Sequence, residues 1–127
     1  MYKLISSNEK IFIAGSKGMV GNSIVKALLN KGYGNKNNGG ELLTPSRNIL
    51  DLTNYEELKN WFKANKPSVV IIAAAKVGGI YANASMPLDF LLENLKIQTN
   101  LIELSYLNKV KRLLFLGSSC IYPKFAT

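Results

Sequence analysis

Ser118, Ser119 and Cys120 place two hydroxyls and a thiol in consecutive positions of the segment Leu116-Gly-Ser-Ser-Cys-Ile-Tyr-Pro-Lys124. A thiol works as a base or nucleophile only as the thiolate. Free cysteine titrates near ~8.5, so Cys120 would need a cation or a helix end beside it to ionise at neutral pH. A small buried core residue is the alternative for a free cysteine. The chain has no histidine, which excludes histidine acid-base or histidine-metal chemistry from these residues, and no metal site is expected.

A second constellation lies near the start of the chain. In Phe12-Ile-Ala-Gly-Ser-Lys-Gly-Met-Val-Gly21, an apolar strand runs into glycines at 15, 18 and 21, and a helical pattern follows at once. This spacing suits a strand-turn-helix that holds a dinucleotide pyrophosphate. Gly15 permits the tight turn, Gly18 lets phosphate approach the backbone, and Gly21 lets helix and strand come close. The unpaired amides at the start of a Met19–Lys31 helix add a positive end that favours an anion. Ser16, Lys17, Met19 and Val20 complete the turn. A purely structural βα turn is the rival reading.

The elements that must position these groups alternate regularly. Strands are expected at Lys10–Ala14, Glu41–Thr44, Val69–Ala73 and Arg112–Leu116, the third a continuous apolar run as in a sheet covered on both faces. The first helix offers Val20, Ile24, Val25, Leu28 and Leu29 as its apolar stripe. Thr53-x-x-Glu56 has the form of a capping box opening a helix through Asn65, with Tyr55, Leu58, Trp61 and Phe62 toward the core. A long helix is expected from about Pro87 to Asn108, with Leu88, Leu91, Leu95, Ile102 and Tyr106 on one side. The glycine- and asparagine-rich stretch at 32–40 reads as a mobile loop. This alternation predicts an α/β fold, a Rossmann-type doubly wound parallel sheet of four strands in the order 3-2-1-4, with ligands at the carboxyl ends of the strands.

Composition bounds the rest. The 127 residues fit one domain, residues 1–127, read as a dinucleotide-binding domain incomplete at its C-terminus, because only eleven residues follow the fourth strand. That strand would be an exposed apolar edge, and the chain by itself should be marginally stable. A single cysteine excludes an intrachain disulfide and fits a cytoplasmic protein, and no apolar run is long enough for a membrane span. The formal charge is +8, yet the sixteen basic residues are scattered along the chain, which argues against nucleic acid as a partner.

The glycine turn, Ala73-Ala-Ala75 after the third strand and the Ser-Ser-Cys segment together resemble the extended short-chain dehydrogenase/reductase superfamily. More specifically, Ala73-Ala-Ala-Lys-Val-Gly-Gly-Ile80, Ala82-Asn83, Pro87 through Asn94, and Leu113 through Lys124 resemble the GDP-L-fucose synthase family, over about Lys10 to Lys124. The resemblance implies a bifunctional epimerase/reductase acting on a GDP-4-keto-6-deoxy-mannose, with NADPH/NADP as cofactor. It implies Ser118 as the hydroxyl that orients the sugar oxygen and Cys120 as the base at carbons 3 and 5, whose protons the C4 ketone acidifies; a positioned base typically contributes ~10²- to 10⁴-fold. Ser119 would meet the cofactor or cap the turn. Asn94 would shape the active site, a solvent-facing helical asparagine being the alternative.

The strand-two end, Leu42-Leu-Thr-Pro-Ser-Arg47, lacks the acid that binds a ribose 2′-hydroxyl in NAD sites. By resemblance Arg47 meets a 2′-phosphate, with Lys17 in the glycine turn, while Asp51 and Leu52 lie near the adenine. Ala73, Ala74, Ala75, Leu116 and Gly117 would line the cofactor. The superfamily's Tyr-x-x-x-Lys pair has only one counterpart in spacing, Tyr55…Lys59, read as a core tyrosine and a solvated lysine; the true pair would lie beyond Thr127. The chain alone is therefore expected to be inactive. A homodimer of the full-length protein is left open. Another nucleotide-sugar epimerase, dehydratase or reductase, or a non-catalytic dinucleotide sensor, are the alternatives.

Overall fold

The computed structural model describes residues 4–74 and 84–117, together with Pro123 and Phe125. Four strands form one parallel sheet: β1 (Lys10–Ala14), β2 (Glu41–Leu43), β3 (Val69–Ile72) and β4 (Arg112–Phe115). Helices α1 (Met19–Asn30), α2 (Tyr55–Asn65) and α3 (Pro87–Leu107) alternate with them. The expected elements are present, β1 with the expected bounds and the others with an end shifted by one residue.

The strand order is a correction. The sheet runs β2-β1-β3-β4, not 3-2-1-4. Val69–Ile72 is apolar on both faces and buried throughout, so it belongs inside the sheet. β2 has three residues, two of them half-exposed, and suits an edge. β3 therefore crosses over and pairs with the other side of β1, in the register Ile13↔Ile71, while β2 holds Ile11↔Leu42. The direction of winding reverses between β1 and β3, and a crevice opens at such a switch point.

Each face of the sheet has its own core. Phe12, Val70 and Ile72 meet Leu58 and Phe62 of α2 and Ile97, Leu101 and Leu104 of α3. Ile11, Ile13, Val69 and Ile71 meet Ile24, Val25 and Leu28 of α1; Val20 and Leu29 of the expected stripe are exposed. Trp61 tilts against Phe12 at 4.4 Å between ring centroids, and Phe62 meets both rings edge-on.

Three local expectations change. On α3 the buried positions are Phe90, Ile97, Leu101 and Leu104, whereas Leu88, Leu91, Leu95, Ile102 and Tyr106 are exposed. Both sets keep helical spacing. They are offset by two residues, about 200° of rotation at 3.6 residues per turn, so periodicity alone could not choose between them. The cap of α2 is Asn54, whose Oδ1 accepts from Glu57 N at 3.1 Å, not Thr53 with Glu56. The 32–40 segment contains a 3₁₀ turn, Lys36–Asn38, in which Asn35 Oδ1 accepts from Asn37 N and Gly40 N donates to Asn35 O. The Tyr33 hydroxyl ties the same segment to Ile5 O at 2.9 Å. As expected, β4 is a sheet edge, and all four of its residues are exposed. Among the described residues no helix is long and apolar enough to cross a membrane.

Candidate functional site

A cleft of about 940 Å³ opens above the carboxyl ends of β1 and β3. Its floor is the turn from Gly15 to Val20, and Ala73 and Ala74 follow β3 along one side. Pro45 to Arg47 and Leu50 to Thr53 form the wall beyond β2, and Asp89, Leu92, Glu93, Lys96 and Ile97 of α3 continue the lining beside it. The volume suits a ligand of dinucleotide size.

The three glycines of the turn do different work. Gly15 has φ of +83°, and a Cβ on it would lie 2.7 Å from the Ala73 carbonyl, so β1 and β3 leave no space there. At Gly21 a Cβ would come within 2.0 Å of Gly15 O, which fixes the close approach of α1 to the turn. Gly18 has neither demand. Among the described residues a Cβ there would meet only Gly15 O, at 3.4 Å, and it would point into space that belongs to the cleft. Gly18 is also the N-cap of α1 and has no side chain to cap it, so the first-turn amides are left to whatever occupies the cleft.

Ser16 adds an independent sign. Its residue is 6% exposed, it lines the cleft, and its Oγ has no hydrogen-bond partner among the described residues. A buried hydroxyl left unsatisfied calls for a partner. An anion-bearing ligand over the glycine turn would supply one. The floor thus fits a dinucleotide by three features: uncapped amides, an orphan hydroxyl, and space at Gly18 that a side chain would fill.

The walls carry mixed charge. Lys17, Arg47 and Lys96 stand with Asp51, Asp89 and Glu93. Arg47 Nη2 donates to Glu93 Oε1 at 3.0 Å. Asp51 Oδ1 accepts from Thr53 Oγ1 at 2.7 Å and Thr53 N at 2.9 Å, and its own N–H donates to Glu57 Oε1. Those Thr53 bonds, aided by the positive Arg47, hold the Asp51 carboxyl below its usual range against the opposing effect of burial. Asn100 Nδ2 of α3 donates to Leu52 O at 3.0 Å, fixing the wall that carries Asp51 and Leu52.

The structure therefore brings Gly15, Ser16, Lys17, Gly18, Met19, Val20, Arg47, Asp51, Leu52, Ala73 and Ala74 onto one cleft, with Gly21 directly behind the turn. Asn94 is half-buried on α3, and Leu116 and Gly117 follow β4; none of these three lines the cleft. Ala75, Ser118, Ser119 and Cys120 lie outside the described residues. Glu93 and Lys96 did not emerge from the sequence reading. Their signal was present: Asp89, Glu93 and Lys96 recur at helical spacing on one face of α3.

Comparison with known proteins places this site in a family. The model of the NAD dependent epimerase/dehydratase family matches residues 11–127. The chain belongs to that family. It is 51% identical over 119 residues to GDP-L-fucose synthase 1 of Arabidopsis thaliana, covering 94% of this chain and 35% of the relative. To the GDP-L-fucose synthase of Escherichia coli strain K12 it is 42% identical over 120 residues, 94% of this chain and 36% of the relative. Among solved structures, a GDP-mannoheptose C4 reductase from Campylobacter jejuni with NADP bound superposes with a TM-score of 0.86 at 40% identity, covering 97% of this chain and 37% of that one. The chain spans about a third of the length of the curated relatives it matches.

Proposed function

We propose that the chain is the NADPH-binding part of a cytoplasmic GDP-L-fucose synthase, converting GDP-4-keto-6-deoxy-D-mannose to GDP-L-fucose by 3,5-epimerisation and 4-reduction. The observation that carries this reading is the 51% identity to a GDP-L-fucose synthase across nearly the whole chain, glycine turn included. The cleft supports the cofactor. Its amide floor and the Ser16 hydroxyl suit a pyrophosphate, and Arg47 stands beyond β2 where a 2′-phosphate would lie.

Within this reading, the amides of α1 and Ser16 bind the pyrophosphate, Arg47 and Lys17 bind the 2′-phosphate, and Asp51 and Leu52 border the adenine. The bound cofactor would supply hydride for reduction at C4. Ser118 would orient the C4 oxygen, and Cys120 would remove the protons at C3 and C5; both assignments follow from the resemblance of their segment to the family. The chain spans about a third of the length of the synthases it matches, so turnover is proposed for the full-length protein.

The test is incubation of the full-length protein with GDP-4-keto-6-deoxy-mannose and NADPH, following NADPH oxidation and product stereochemistry. GDP-L-fucose is the expected product, and Cys120→Ser should reduce epimerisation more than 4-keto reduction. Equal loss of both would remove Cys120 from its role. NADPH consumption without inversion would favour a second reading, a GDP-sugar 4-reductase, which the 40% identity to the Campylobacter jejuni C4 reductase supports.

A further inference from the structure

We propose that Glu93 sets the cofactor selectivity of the cleft by holding the Arg47 guanidinium that a 2′-phosphate would otherwise claim. The inference rests on the dinucleotide reading of the cleft.

The two residues are 46 positions apart and come from different elements, Arg47 from the turn after β2 and Glu93 from the second turn of α3. Their contact is a direct charge-assisted hydrogen bond of 3.0 Å. The Arg47 side chain is 71% exposed, whereas the Glu93 side chain is 26% exposed. The carboxylate is thus the fixed partner, carried by a helix packed into the core, and the guanidinium is the movable one. The end of β2 supplies no acid; Asp51 in the loop that follows and Glu93 on α3 are carboxylates near Arg47, and Glu93 is the one that bonds its guanidinium directly.

Two effects of Glu93 oppose each other. Tethering a flexible arginine prearranges it, but an exposed ion pair does so weakly. Against that, the carboxylate engages one Nη of the planar fork that phosphate recognition uses in bidentate form, and it stands as a like charge beside an incoming dianion. At about 6 Å in water, one unit charge against a phosphate carrying nearly two, partly screened by physiological salt, shifts affinity by about three- to tenfold. Repulsion decides the sign. A 2′-hydroxyl, uncharged and able to donate, meets no such opposition. Glu93 therefore narrows the advantage of 2′-phosphorylated over 2′-hydroxyl dinucleotides.

Adenosine 2′,5′-bisphosphate and 5′-AMP, which differ only in the 2′-phosphate, isolate the effect. Their dissociation constants would be measured by calorimetry for wild type, Glu93→Gln and Glu93→Lys, at about 0.15 M and about 0.5 M salt, the second roughly halving the Debye length of the first. Glu93→Gln should bind the bisphosphate about three- to tenfold tighter with AMP changed less than about twofold, Glu93→Lys should gain more, and both gains should shrink in high salt. A Glu93→Gln variant that binds the bisphosphate equally or more weakly, or that moves both nucleotides together, overturns the inference while leaving the cleft's function standing. A wild type that binds neither nucleotide overturns the inference together with the dinucleotide reading itself.

Discussion

Alanine at Gly18 and alanine at Gly21 should separate binding from folding. Gly18 has φ of −71° and ψ of 168°, a conformation alanine adopts freely, and among the described residues its Cβ would find only one ordinary contact, at 3.4 Å. Replacing a glycine N-cap by alanine costs up to about 1 kcal/mol. Stiffening the unfolded chain returns about 0.4–1 kcal/mol, so stability should stay within about 1 kcal/mol of wild type. At Gly21 the added Cβ would sit 2.0 Å from Gly15 O, 2.7 Å from Gly15 C and 2.9 Å from Ser16 Cα, all backbone that cannot swing aside. Helix α1 would have to retreat from the turn, and overpacking of this kind costs about 1–3 kcal/mol or more. Urea midpoints by circular dichroism and NADP⁺ titration by calorimetry read the two effects. Gly18→Ala should unfold with wild type yet bind at least about tenfold more weakly, a loss of about 1.4 kcal/mol. Gly21→Ala should lose stability and binding together. A Gly18→Ala variant that binds NADP⁺ as wild type does, or that is destabilised as much as Gly21→Ala, would refute the reasoning.

Three further outcomes follow from the same structure. Asn54→Ala should cost about 1 kcal/mol in urea melts, because it removes the α2 cap, with no effect of that origin on the α1 turn. Arg47→Gln should weaken NADP⁺ binding while leaving NAD⁺ nearly unchanged; equal weakening of both would place the 2′-phosphate elsewhere. Glu9, held below its usual pKa first by Ser68 and then by Lys111, and Asp51, held down by Thr53, give the chain stability that is fully present above the ordinary carboxylate range of about 4. That contribution is lost as pH falls through their lowered values. Glu9→Gln and Asp51→Asn should flatten the acid limb of a stability-pH curve, and an unchanged limb would show that other carboxylates govern it.

The parts of the fold legible in the sequence were those specified by neighbours along the chain. The β1-turn-α1 unit could be read because its strand, glycines and helix lie within about twenty residues. Pairings between distant segments were less legible. The sheet order depended on which strand could tolerate an edge, a comparison between the half-exposed β2 and the buried β3. On α3, two apolar stripes on opposite sides gave the same period, and contact with β1, β3 and α2 selects Ile97, Leu101 and Leu104. At the site, the glycine turn and Arg47 were found from local motif and resemblance. Glu93 was missed because its partner is 46 residues away, and the helical spacing it shares with Asp89 and Lys96 marks a charged face without saying what that face meets.

The claim on which the account turns is that a phosphorylated dinucleotide lies over the Gly15–Val20 turn with its 2′-phosphate toward Arg47. Titrating the ¹⁵N-labelled chain with NADP⁺ and following its amide resonances tests this directly. Saturable shifts should appear at residues 15–20, 47, 51–52 and 73–74. Unmoved amides there at millimolar NADP⁺, or shifts confined to the opposite end of the sheet around Lys63, Lys66 and Lys109, would contradict it.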